Sequence, residues 1–95
     1  MIAKIEPKFP LGQIVATPGA LEALAKSGQS AAEFLNRHIV GDWGEVDAED
    51  QRANDQALID GTRLLSAYRT SLGDKLWIIT EADRSSTCIL LPDEY

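Results

Sequence analysis

The residues best able to do chemistry gather in one stretch, HIVGDWGEVDAED at positions 38–50, which holds the only histidine, one of two tryptophans and a run of carboxylates. Histidine gains and loses its proton near neutrality, so His38 is the first candidate for a general acid or base. Arg63 and Arg84 are the cations that would hold a developing anion beside it. With Tyr68 and Thr87 they make the side-chain set of a metal-independent ribonuclease, in which a base takes the 2′-hydroxyl proton and arginines clamp the in-line phosphate. Ser66, Ser85 or Ser86 with His38 and an acid would make a hydrolase, but no nucleophile elbow surrounds any of the three serines.

Metal and nucleotide chemistry find less support. There is no CxxC pair, no HExxH and no second histidine, so the spacings that hold zinc are missing. The acids from Asp42 to Asp50 do not follow a calcium loop, because counting from Asp42 puts Gly44 and Val46 where oxygen ligands belong. No GxxxxGK[ST] loop occurs, and the glycines at 12, 19, 28, 41, 44, 61 and 73 fall at predicted element ends. The sequence therefore implies no metal and no cofactor.

Charge points elsewhere. The 95 residues carry a net charge of −6. From Asp42 to Asp60 there are seven acids (Asp42, Glu45, Asp47, Glu49, Asp50, Asp55 and Asp60) against Arg52 alone, while the rest of the chain balances eight acids with eight bases. Such a concentration repels nucleic acid and attracts basic protein surfaces. The expected contact residues are Asp42, Trp43, Asp47, Glu49, Asp50 and Asp55. Trp43, set between two glycines, is either a plug closing the core or an exposed anchor. RNA-cleaving toxins are generally basic, which weighs against the ribonuclease alternative.

The elements that position these residues are read from local signals. A chain this short builds one core. Residues 1–12, with Pro7 and Pro10, predict an irregular arm leading into a single α+β domain over 13–95. GQIVAT predicts a short strand. Thr17 and Pro18 open a helix that Gly28 closes, over about Pro18 to Ser27. Ser30 and Glu33 spell a capping box for a second helix, with His38 in its last turn facing the macrodipole and Gly41 as terminator. Asp47 caps a third helix, over about Ala48 to Asp60, stopped by Gly61. TRLLSAYRT, KLWIITE and STCILL then read as an antiparallel β-meander. The fold class is thus α+β: N-terminal helices packed on a C-terminal antiparallel sheet, with a short N-terminal strand. Cys88 falls in the apolar run CILL and reads as a buried small hydrophobe. No run of eighteen apolar residues exists to cross a bilayer and no signal-peptide pattern opens the chain, so a cytoplasmic protein is expected.

The segments GQIVATPGALEAL, HIVGDWG with Asn54 after it, GTRLLSAYRT and KLWIITEADRSSTCILLPDEY resemble a family of short proteins of bacterial plasmids and integrative elements, the plasmid-related proteins. That resemblance implies a mobile-element accessory protein and carries no catalytic residues with it. A methyltransferase role, attached to some members, finds neither a glycine-rich methyl-donor loop nor an NPPF-like tetrapeptide here. The order of helices before an antiparallel sheet is also similar to barnase-like and RelE-like ribonucleases. The leading expectation is a non-enzymatic domain that binds a basic protein partner through an acidic helix face, with nucleic acid phosphates as the thing imitated. The alternative is a ribonuclease of the toxin type, and a homodimer through an exposed sheet edge is a further arrangement.

Overall fold

Local capping chemistry sets the helix boundaries in the computed structural model, which describes residues 6–95. Helix α1 runs Pro18–Ser27; the Thr17 hydroxyl accepts from the Ala20 amide, and Gly28 ends the helix in the left-handed region. Helix α2 is Ala31–Ile39 and α3 is Ala48–Asp60, the latter capped by the Asp47 carboxylate on the Asp50 amide and ended by Gly61. Past α2, the Gly41 amide donates to the His38 carbonyl and the Asp42 amide to the Arg37 carbonyl. These bonds satisfy carbonyls that the helix end leaves free.

The capping box at the start of α2 does not form. Ser30 makes no side-chain cap, and Glu33 accepts instead from the Gln29 amide at 2.6 Å. The Gln29 side-chain Oε1 in turn accepts from the Ser71 backbone amide across 42 positions. A tertiary bond has recruited the side chains that local pattern assigned to one another.

The strands are β1 (Gln13–Ala16), β2 (Leu64–Arg69), β3 (Lys75–Thr80) and β4 (Ser86–Leu90), and a 3-10 turn covers Pro92–Glu94. They form one sheet in the order β1-β4-β3-β2. Strands β2, β3 and β4 make the expected antiparallel meander, but β1 joins it parallel to β4, so the sheet is mixed. The Gln13 and Thr17 amides donate to the carbonyls of Ser85 and Ile89, a pairing that no local pattern announces.

One face of the sheet carries the helices. Leu64, Ser66, Tyr68, Leu76, Ile78, Thr80, Thr87 and Ile89 alternate along the strands onto that face and are buried. Against them pack Ala20, Ala23 and Leu24 from α1 and Phe34 and Leu35 from α2. Each leucine, isoleucine or phenylalanine among them contributes about 1.5–3 kcal/mol by leaving water. Residues 1–5 of the expected arm lie outside the described residues; residues 6–12 form no helix or strand but are not idle. Phe9 is buried with Trp43, Ala57 and Leu64 in a second cluster. On the opposite face Trp77 meets Tyr95, edge to face at 5.8 Å. Cys88 sits there half-buried, where the sequence placed it in the core.

The outer edge of β2 is closed. The Ala67 amide donates to the Trp43 carbonyl at 3.0 Å, and the Glu45 amide donates back to the Ala67 carbonyl at 2.6 Å. Two residues along, the Asn54 side chain of α3 does the same for Leu65, donating to its carbonyl at 2.7 Å and accepting from its amide at 3.0 Å. Gly44 makes this approach feasible: its φ is +74° and a Cβ there would stand 2.1 Å from the Ala67 oxygen. No helix of the described residues is long and apolar enough to cross a membrane.

Candidate functional site

His38 lies in the last turn of α2, where the sequence put it, but the ring points into the protein and is 0% exposed. Its two nitrogens meet the Ser66 hydroxyl at 2.5 Å and the Thr80 hydroxyl at 2.9 Å. Thr80 continues to the Thr87 hydroxyl at 2.8 Å, and Thr87 to the Leu11 carbonyl at 2.7 Å. A carbonyl only accepts, so this chain has one consistent proton order. Thr87 donates to Leu11, Thr80 donates to Thr87, and the Nε2–H of His38 donates to Thr80. Nδ1 is left as the acceptor for Ser66.

Both of its nitrogens are thus engaged, and its surroundings keep the ring neutral at pH 7. Burial, and after it the nearby Arg84 cation, pull its pKa down from 6.5 to about 4. Phe9 stands edge-on to the ring at 5.2 Å and Trp43 at 5.7 Å. The macrodipole partnership expected of a charged histidine at a helix end is absent because desolvation opposes the charge more strongly than the dipole favours it. Ser66 and His38 do pair, as a hydrolase would need, yet Ser66 is also 0% exposed. The residue beyond the ring is a threonine rather than an acid.

The two arginines are placed apart and both are engaged. Arg84, at a left-handed φ of 61° in the β3–β4 turn, donates to the carbonyls of Thr62, Glu81 and Ala57 at 2.6, 3.0 and 3.1 Å. It thereby ties the C-terminal turn of α3 to the sheet, with its guanidinium 5.7 Å from the centre of the Phe9 ring. Arg63 lies on the other side of the sheet, at the rim of a shallow groove of about 260 Å³ over Ile79, Cys88 and Leu90. It donates to the Tyr95 hydroxyl at 2.7 Å and pairs with Glu81 at 3.3 Å. Tyr68 is buried, its hydroxyl donating to the Asp42 carbonyl at 2.5 Å, and burial lifts its pKa to about 12. The constellation of base and cations that the ribonuclease reading requires is not assembled around any opening.

The segment from Asp42 to Asp60 divides into acids that hold the fold and acids that do not. Asp42 pairs with Arg37 at 2.8 Å, and Glu45 with Arg69 at 3.2 Å. The Arg37 guanidinium beside Asp42 holds that carboxyl below its ordinary pKa. Asp55 accepts from the Trp43 indole at 3.1 Å. Trp43 itself is 3% exposed, so of its two readings the plug is the one the fold uses. Asp47 is the cap of α3, and Asp60 accepts from Gln56 at 3.1 Å. Glu49 and Asp50 have exposed side chains without a hydrogen-bond donor among the described residues. Asp47, Glu49, Asp50, Asp55 and Asp60 make no ion pair with lysine or arginine there.

Asn54, Phe9 and Thr80 matter to this arrangement, and reading the sequence gave them no chemical role; Thr87, read there as part of a ribonuclease set, is instead buried in this chain of hydroxyls. Asn54 left one signal: it shares the inner face of α3 with Ala57 and Leu58 at i, i+3 and i+4, a place where an amide must find partners. Neither a family model, nor a curated protein, nor a solved structure matches the chain. The resemblance to plasmid-related proteins therefore rests on the quoted sequence segments alone.

Proposed function

We propose that this chain is a non-enzymatic accessory domain that binds a basic protein partner through the outward face of α3, in keeping with a mobile-element protein that imitates nucleic acid phosphates. One observation carries the reading: five exposed carboxylates from Asp47 to Asp60 make no ion pair with arginine or lysine among the described residues. Exposed carboxylates at helix surface positions cost little to the fold and create a field that steers a cationic surface. Asp42 and Trp43, first expected at the contact, serve the turn and the core, so the surface shifts along α3 toward Glu49, Asp50 and Asp60.

The test uses acids that make no side-chain bond outside α3 among the described residues. Wild type and a triple variant, Glu49→Gln, Asp50→Asn and Asp60→Asn, are used to capture proteins from a low-salt lysate. Wild type is expected to retain a basic protein that elutes at about 1 M salt, where charge reaches only about 3 Å. The triple variant should retain at least tenfold less. Equal retention of the same protein by both would remove the acidic face from the contact.

A further inference from the structure

The sheet has two edges, and the chain treats them differently. The outer edge of β2 is occupied by the backbone of residues 43–45 and by the Asn54 amide. The outer edge of β1 meets no strand, loop or side chain among the described residues. Gln13 and Thr17 donate to β4, and the register pairs Val15 with Cys88. Odd-numbered positions thus spend their amides inward. Ile14 and Ala16 turn their N–H and C=O groups outward, and the side chains of Ile14 and Val15 are 49% and 42% exposed. Unpaired edges are ordinarily blunted by charge or proline, and QIVA has neither.

We propose that β1 pairs antiparallel with β1 of a second copy of this chain, about a two-fold axis through Val15. In that register Ile14 of each copy exchanges both backbone hydrogen bonds with Ala16 of the other, so the four outward groups on each strand find partners. Val15 then faces Val15 of the second copy in the closer, non-hydrogen-bonded kind of pair. Its side chain lies on the open face in register with Cys88, Ile79 and Leu65. Pairing makes that apolar row continuous across eight strands. On the helix-bearing face, a large Ile14 opposes a small Ala16.

Charge selects the same edge. Two chains of net charge −6 repel wherever their acidic helices approach, and α3 is bonded to β2, at the far edge from β1. Joining the β1 edges puts the two β2 strands seven strand spacings apart, roughly 33 Å. That is about four screening lengths at physiological salt. The strand that would meet its copy carries no charge of its own. The inference is independent of the proposed partner: a monomer with a basic partner and a dimer without one give different results below.

Sedimentation of the full chain as a function of concentration tests it directly. Wild type is expected to approach twice its 10.4 kDa mass as concentration rises. Ile14→Pro removes an N–H that points outward and leaves the β1–β4 bonds in place, so it should yield a monomer with unchanged circular dichroism. Val15→Lys and Val15→Glu should each be monomeric alone, because like charges then oppose one another, and should form a heterodimer when mixed. A wild type that stays at 10.4 kDa at millimolar concentration would overturn the proposal. So would a dimer that persists in Ile14→Pro, or Lys and Glu variants that fold and fail to combine.

Discussion

On the His38 side of Trp43, an imidazole and three hydroxyls exhaust one another's hydrogen bonds and end on a backbone carbonyl. On the Asp55 side, carboxylates of α3 stand in water with no cation against them among the described residues. His38 and these carboxylates come from neighbouring stretches of sequence, and Trp43 touches both sides, its ring 5.7 Å from that of His38 and its indole donating to Asp55. Polar groups in the first are bound up in holding α2 on the sheet, because any one left unpaired out of water would cost about 1–3 kcal/mol. Polar groups in the second contribute little to folding, which leaves them free to meet something else. Chemical type does not separate a structural polar residue from a functional one; the supply of partners does.

The largest effect should come from removing the divider. Trp43→Ala takes away the indole that packs on Phe9 and His38 and donates to Asp55. Replacing a buried tryptophan by alanine costs roughly 3–5 kcal/mol, read as a lower urea midpoint. A loss below about 1 kcal/mol would show that the two regions do not depend on it.

The next effect comes from acid. Unfolded, His38 takes a proton near pH 6.5; folded, only near 4. Between these values the unfolded chain binds more protons. Its neutral burial therefore supports the fold fully above pH 6.5, and on the order of 3 kcal/mol is lost as pH falls to about 4. His38→Gln has nothing to titrate, so the difference between its stability and that of wild type should narrow across this window. Profiles that run parallel would mean the ring is not held neutral.

The smallest effect belongs to the other side. Glu49→Gln with Asp50→Asn should change stability by no more than about 0.5 kcal/mol at neutral pH, as is usual for surface positions without partners. A larger loss would make these acids part of the fold and erase the contrast with His38.

How much of this could be read from sequence follows the distance over which each interaction acts. Thr17, Pro18 and Gly28 bound α1 by contacts within four or five residues, and the sequence placed α1 and α3 at the residues where they occur. The meander of β2, β3 and β4 was legible because short turns join strands that pair as neighbours. The parallel addition of β1 was not, since its register partners lie 73 positions on (Gln13 with Ser86). Burial of His38 was equally hidden: it depends on Phe9, from an arm that two prolines made look detached, and on hydroxyls of three separate strands. Arg84 looked like a loop cation ready for an anion. Of its three carbonyl partners Glu81 lies in its own turn, while Ala57 in the last turn of α3 and Thr62 just beyond that helix are brought to it only by the folded chain. Of the candidate site, the carboxylate concentration was legible as composition. Which carboxylates were already engaged was decided by Arg37, five residues before Asp42, and by Arg69 and the Trp43 indole, which only the folded chain brings to Glu45 and Asp55.

The strap of backbone from Trp43 to Glu45 has one more consequence. A flat ribbon with two bare borders can be extended from either side without limit, which is how fibres grow. Here one border is occupied by the chain's own loop and helix, so a second copy joining at β1 would bring a finished border of its own beyond it. Assembly by strand addition must stop after a single step.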